Sequence, residues 1–376
     1  MKILIVIFLQ LSVITIVQSN VQKEDSTQQV IPLDEFSDGI HHWYLIDQEN
    51  HYKRYHPSDY IGIANNFVAY QNEDGGWPKN IDWLAIVDAD SLKATLSEHY
   101  QQSTFDNRNT WPQIKYLARA YLITHNEAYK KGVLKGINYI FNTQYENGGW
   151  RGWDVDAITY NDDVMTGIMN LLLDIKEGKD YFSFLPEELK QKAVTALNKA
   201  IDLTLKCLIV VNGEKTAWGQ QHDHNTFKSV GARTFELAGI TANESVSVLR
   251  FLMRLDHPNN SVINAIESGV KWLKKSKINN LRVDTIDVPK GTYPGLTLTI
   301  DRKAVYDPQA KPIWARYYEI ETNRPFMCTR QGKKVYKLED VNPERRAGYA
   351  WYGYWPEQLL ELEYPLWKEK ITPHPN

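Results

Sequence analysis

Cysteine is nearly absent: Cys207 and Cys328 are the only two in 376 residues, far apart and flanked by no metal-type spacing. That excludes a disulfide scaffold and a cysteine-built metal site, and leaves one disulfide or two buried thiols as alternatives. Positive charge is not in excess either. The formal net charge is −3, so the chain carries no general basic field for nucleic acid, and any anionic partner must be met by a local cluster of cations. Long apolar runs are missing after the first twenty residues. The opening "MKILIVIFLQLSVITIVQSN" sets Lys2 before an apolar run from Ile3 to Val17 broken only by Gln10, Ser12 and Thr15, then ends on the small Ser19. This reads as a secretory signal peptide over 1–20, with a secreted or periplasmic mature chain and no stable membrane insertion after cleavage.

Linkers are scarce too. Residues 20 to about 40 are polar and aperiodic and read as a leader (21–45) outside the core. From there to the end no Pro/Gly/Ser-rich or low-complexity tract divides the chain, so 46–376 is read as one domain, expected to be a monomer. Strand patterns are sparse, the best being "LTLTI" (296–300) and "KKVYKL" (333–338).

What is abundant is helical period. Apolar residues recur at helical spacing after Thr110, after Asn161, along 187–208, after Thr241 with its capping-box partner Glu244, and along 261–277. The segment "NNFVAYQNEDGGWPK" returns 73 residues later as "NYIFNTQYENGGWRG", each copy an apolar stretch stopped at Gly-Gly-Trp. The pattern predicts a mostly α fold built from a repeated helical unit, followed by an irregular, β-containing C-terminal part.

Polar residues that resist a packing explanation gather in loops at helix ends. Asp106 stands in "STFDNRNTW", and Asp162 and Asp163 stand in "TYNDD". Acids before a helix cap its N–H groups, yet several brought to one end of a helical array also suit a hard cation. "TAWGQQHDHNTFKSVGAR" holds His222, His224, Lys228 and Arg233; two histidines with no third ligand make a weak metal site, so the cations are its more telling feature. "RYYEIETNRPFMCTR" holds Arg316, Arg324 and Arg330, with Arg324 read as an ion pair to Glu319 or Glu321. Twelve tryptophans and 22 tyrosines, many beside glycine, are what a carbohydrate cleft needs for stacking, as well as what a core needs for packing.

Taken in order, "NFVAYQNEDGGWPKN", "STFDN", "TYNDDVM", "TAWGQQHD", "YDPQAKPIWARYYEIETNRPFMCTR" and "RRAGYAWYG" resemble the polysaccharide lyase family 10 pectate lyases over roughly residues 59 to 360. The resemblance implies an α/α toroid-like array of helical hairpins and Ca²⁺-assisted β-elimination in α-1,4-linked polygalacturonate, leaving 4,5-unsaturated products. It implies Arg330 as the base, Arg233 and Arg316 as holders of substrate carboxylates, and Asp106 with Asp162 or Asp163 as metal ligands; Lys228 and Trp77 are read as substrate-binding from their own loops, as a cation and a loop aromatic. The chain departs from the family pattern at Arg108, Asn109 and Arg151. Two other readings are an exported α/α-barrel glycoside hydrolase using Asp106 and Asp162 as an acid and base pair, and a catalytically silent polyuronate-binding protein.

Overall fold

The structure is a computed structural model, and it describes residues 30–46, 52–90, 97–293 and 298–372. The expected signal peptide lies outside the described residues, as do residues 296 and 297 of the "LTLTI" segment. No described helix is long and apolar enough to cross a membrane.

Eight helices carry the architecture: α1 (Ser37–Ile46), α2 (Tyr60–Tyr70), α3 (Trp111–Thr124), α4 (Glu127–Thr143), α5 (Val164–Lys176), α6 (Glu187–Lys206), α7 (Ala242–Arg254) and α8 (Asn260–Lys275). Helices α3 and α4, α5 and α6, and α7 and α8 pack as hairpins, while α2, α3, α5 and α7 touch one another in series. The series forms the inner row. Its character is written in composition: from Val164 to Ile175 every residue of α5 except Asn170 is buried, whereas α6 buries one stripe of Ala193, Ala196, Leu197, Ala200 and Leu203.

The Gly-Gly-Trp repeat explains how each outer turn is locked. Trp77 Nε1 donates to Phe67 O at 2.7 Å and Trp150 Nε1 to Ile140 O at 2.8 Å, both carbonyls lying in the last turn of the preceding helix. Trp218 and Trp314 repeat the device on Thr204 O and Leu273 O, each at 2.8 Å. Carbonyls in the last turn of a helix keep spare acceptor capacity, and the indole N–H takes it up while its ring is buried in the hairpin interior, even at Phe67 O, which also accepts from Gln71 N. Gln71 and Gln144 reinforce it, each binding its own glycine carbonyl and the backbone of the next hairpin. Gly148 (φ +101°) could not be replaced, since a Cβ would meet the Lys199 carbonyl oxygen at 2.6 Å.

Three readings of the sequence need correction. Trp77 is fully buried in this lock and is unavailable for stacking on a ligand. The leader is not outside the core from residue 30 onward, because Ile31, Phe36 and Trp43 are buried in it. Thr241 makes no capping bond; its hydroxyl turns to Trp218 O, and Glu244 is used elsewhere. Of the two alternatives left open for the cysteines, the structure has the second: Cys207 and Cys328 are both free and buried.

The C-terminal part is β-containing as expected. Lys334–Val335, Pro325–Cys328, Tyr317–Tyr318 and Ile240–Thr241 form a four-stranded antiparallel sheet, and Leu281–Asp287 pairs with Ile300–Tyr306 in a longer ribbon. Because Ile240–Thr241 runs straight into α7, this sheet lays the Arg316 segment against the first turn of that helix. Trp77→Phe removes the indole N–H and is expected to lower unfolding free energy by about 1–3 kcal/mol in urea titrations while sparing activity. Lost activity at unchanged stability would put Trp77 back in a ligand site.

Candidate active site

Arg316 is fixed before its side chain is considered. Its N–H donates to Trp351 O at 2.7 Å and its carbonyl accepts from Ala242 N at 3.1 Å. The guanidinium is nearly buried, with Nη2 donating to Glu244 Oε1 at 2.7 Å and to Asn161 Oδ1 at 2.9 Å, and Cζ 4.8 Å from the centre of the Tyr349 ring. Burial works against its charge, but Glu244 and the neighbouring hydroxyls outweigh it and hold Arg316 protonated well above the ordinary range. Arg316 Nε and Glu244 Oε2 are buried without a partner.

From this pair a hydrogen-bond chain runs to a second arginine. Gln220 Nε2 donates to Glu244 Oε1 at 3.2 Å and to Tyr349 Oη at 3.3 Å, and Tyr349 donates to Glu236 Oε1 at 3.0 Å. Glu236 in turn accepts two bonds from Arg233, 2.8 Å from Nε and 2.6 Å from Nη2. Burial pushes the Glu236 carboxyl up, but the Arg233 fork overrides it and keeps Glu236 ionised. Asp154 lies 3.8 Å from Arg233 on the other side.

Arg330 is the loosest of the expected arginines: half its side chain is exposed, Nε is 3.6 Å from Glu344, and Cζ is 5.7 Å from the Phe235 ring centre. Arg233 faces the same ring at 5.0 Å, so these two sites share one apolar platform. Arg324 does not pair with Glu319 or Glu321. It stacks on Tyr336 at 3.4 Å, and Glu319 is taken by Thr322, Tyr336 and Lys334, which hold its carboxyl down at about 2. Lys228 sits exposed between the paired strands Gln221–His222 and Ser229–Val230, with no side-chain bond to the cluster among the described residues.

The three acids come from two loops in unusual backbone. Asn107, Arg108 and Thr110 before α3, and Asp162 and Asp163 before α5, all have φ between +52° and +69°. Such conformations are costly for non-glycine residues and persist only where the surroundings over-determine them. Neither Asp162 nor Asp163 caps its helix. Asp106 forms a buried ion pair with Lys79, and Asp163 is paired with Arg108 at 2.8 Å. Asp162 accepts from Asn161 Nδ2 at 2.8 Å, and burial, then Asp106 and Asp38, push its carboxyl well above the usual range. A cavity of about 340 Å³ joins Asp162, Asp163 and Arg108 to Arg316, Glu244, Asp38 and His41, the last two from α1.

Among the described residues no three His, Cys, Asp or Glu side chains are grouped to hold a metal ion. Of the expected ligands, Asp162 alone lacks a cation partner. The sequence reading missed Lys79, Glu236, Glu244 and Tyr349, whose roles depend on partners distant in the chain. It also missed Trp153 as the aromatic at this face, with Lys79 Nζ 4.3 Å from its ring centre and His99 beside it.

A pectic acid lyase family model matches residues 71–360. The chain belongs to the pectic acid lyase family. Its fold is that of a family 10 polysaccharide lyase from Cellvibrio cellulosa, at 24% identity and a TM-score of 0.68 over 90% of this chain and 99% of that one. An aspartate-to-alanine mutant of the Cellvibrio cellulosa enzyme, solved in complex with trigalacturonic acid, matches to the same extent. No curated protein matches the chain. Membership in a lyase family sets aside the glycoside hydrolase reading, and Asp106, bound to Lys79, is not placed as a hydrolase acid.

In this pectic acid lyase, His222 anchors the strand that pairs with Ile158–Thr159, just before the Asp162 loop. It is buried and neutral, Nε2 accepting from Gly219 N at 3.0 Å and Nδ1 facing Phe227 O at 2.8 Å, and burial depresses its pKa to about 4. The unfolded chain therefore binds more protons than the folded one between about pH 6.5 and 4. The His222 contribution is complete above pH 6.5 and is lost as pH falls to 4, a drop of about 3 kcal/mol. Urea titrations over that range should show this slope, and His222→Gln should flatten it.

Proposed function

We propose that the protein is an exported pectate lyase that cleaves α-1,4-linked polygalacturonate by β-elimination, leaving a 4,5-unsaturated sugar at the new non-reducing end. The observation that carries this reading is the chain Arg316–Glu244–Gln220–Tyr349–Glu236–Arg233, which ties two guanidiniums together through one hydrogen-bond network. Arginine forks match carboxylates, and a polymer with a carboxylate on every sugar needs such points in series.

Elimination moves the C5 proton to the base, which for an arginine must be the neutral guanidine. It breaks the C4–O4 bond and forms the C4–C5 double bond, and O4 leaves as an oxyanion that takes a proton from water to become the new hydroxyl. The C5 proton lies α to a carboxylate, so charge grows on that group as the proton leaves. Arg316 and Arg233 neutralise it in place, without reorganisation at the moment of reaction. Arg330, held by only one loose acid contact, is the proton acceptor in this reading. Arg233 suits that role less, because burial works against its charge but Glu236 and Asp154 outweigh it and hold its guanidinium protonated above the ordinary range.

Calcium fits this cleft as an ion shared with substrate. Asp162, pushed toward protonation by burial and by Asp106 and Asp38, is an acid in want of a cation, and Asp106, bound to Lys79, is the acid whose charge acts on it most strongly. Ca²⁺ takes about six to eight oxygens, so substrate carboxylate and water would supply the rest. When bound it adds positive charge beside the reacting carboxylate and makes the C5 proton easier to remove.

On polygalacturonate the protein should generate ultraviolet-absorbing unsaturated product that disappears with EDTA and returns with Ca²⁺. Binding with no product would mark it as a silent polyuronate binder. Arg330→Ala should lower kcat by about 10²–10⁴-fold with KM little changed; if Arg233→Ala does that and Arg330→Ala mainly raises KM, the two roles exchange.

A further inference from the structure

Arg108 stands where an arginine fits poorly. Its backbone is left-handed, at φ +52°, a conformation that glycine and asparagine take more readily than a long side chain does. Among the described residues its guanidinium makes one bond, the ion pair to Asp163 Oδ2 at 2.8 Å. The two side chains are 43% and 22% exposed, and a pair so open to water adds little to stability. Neither backbone preference nor folding accounts for this arginine, so its effect is local.

What it faces is an excess of acid. Four carboxylates line the cavity of about 340 Å³, those of Asp38, Asp162, Asp163 and Glu244, against two guanidiniums, Arg108 and Arg316. Arg316 is committed to Glu244 at 2.7 Å. Arg108 is committed to Asp163, whose other oxygen, Oδ1, accepts from Thr166 Oγ1 at 3.2 Å. Asp162, the residue before it, is in no ion pair with a described residue and accepts from Asn161 Nδ2 at 2.8 Å. Adjacent loop acids suit a hard divalent cation, and a fixed positive charge on one of them opposes that cation twice, by occupying a ligand oxygen and by repulsion. Lys79 stands against Asp106 in the same way, but there the side chains are only 8% and 10% exposed, so that pair belongs to the scaffold. Taking away Arg108 leaves Asp163 in contact with water and with Thr166.

We propose that Arg108 is a resident counter-cation on Asp163, which holds down the affinity of the two acid loops for Ca²⁺. This deepens the calcium reading above and rests on it. With Arg108 on Asp163 and Lys79 on Asp106, Asp162 is left as the expected ligand without a cation partner, and the protein by itself holds a metal ion weakly.

The test is calorimetric titration of Ca²⁺ into substrate-free wild type, Arg108→Asn and Arg108→Lys, with thermal unfolding of each in Ca²⁺ and in EDTA. Arg108→Asn removes the charge and suits the left-handed backbone. It should unfold in EDTA at or above the wild-type midpoint, bind Ca²⁺ about tenfold more tightly and gain more in midpoint from Ca²⁺. Arg108→Lys keeps the charge and should stay within about threefold of wild-type affinity. Affinity in Arg108→Asn equal to wild type or weaker overturns the assignment and leaves Arg108 as a tie between the loops. An equal gain in Arg108→Lys also overturns it, since charge would then not be the cause. Assays on polygalacturonate separate this from the reading beneath it. If no protein forms unsaturated product while the calorimetric difference holds, the substrate reading falls and the counter-cation stands. If no protein binds Ca²⁺, the counter-cation and the calcium reading fall together.

Discussion

The buried ion pair between Arg316 and Glu244 is the constraint on which the site depends. Removing two charges from water is expensive, and their attraction repays it only when the remaining donors and acceptors are served. Here Asn161, Gln220 and the Tyr349 ring serve Arg316 Nη2 and Glu244 Oε1, each from a different part of the chain, while Arg316 Nε and Glu244 Oε2 have no partner among the described residues. The pair therefore brings the entrance of α5, the first turn of α7 and the C-terminal segment to one place. It also explains why Glu244 leaves Thr241 uncapped: the carboxylate that would have closed a capping box is turned to the guanidinium.

Around that pair the cleft alternates acids and bases with few left over. Asp106 has Lys79, Asp163 has Arg108, Glu236 has Arg233. Asp162 is the exception among the acids named, since no described cation forms an ion pair with it, although the charges of Arg316 and Arg233 still act on it. The left-handed backbone at Asn107, Arg108, Thr110, Asp162 and Asp163 shows that the loops presenting the acids are held against their own preference, by bonds such as Arg108 to Asp163.

Much of the scaffold was legible in sequence, since a helical period over ten or more residues survives whatever it packs against. The Gly-Gly-Trp repeat was visible too, but its meaning was not. A tryptophan beside glycines suits a cleft or a core equally, and only the indole bonds to Phe67 and Ile140 decide for the core. The burial of Ile31, Phe36 and Trp43 escaped because three apolar residues spread over a polar stretch make no period. Arg316 could be singled out from its motif, whereas Arg324, in the same stretch, was assigned to nearby acids when an aromatic across the sheet claims it. Arg345 and Arg346 are indistinguishable as letters; their difference is the presence or absence of Asp301, 45 residues away in the chain.

The central claim is that this cleft recognises carboxylates through guanidiniums positioned in advance. Its most direct measurement is the dissociation constant of trigalacturonate against that of its fully methyl-esterified form, at fixed Ca²⁺ and at two salt concentrations. The acid should bind at least about tenfold more tightly, with affinity falling as salt rises, because esterification removes the charge that the arginines and any shared Ca²⁺ meet. Equal affinity for acid and ester, insensitive to salt, would contradict the account.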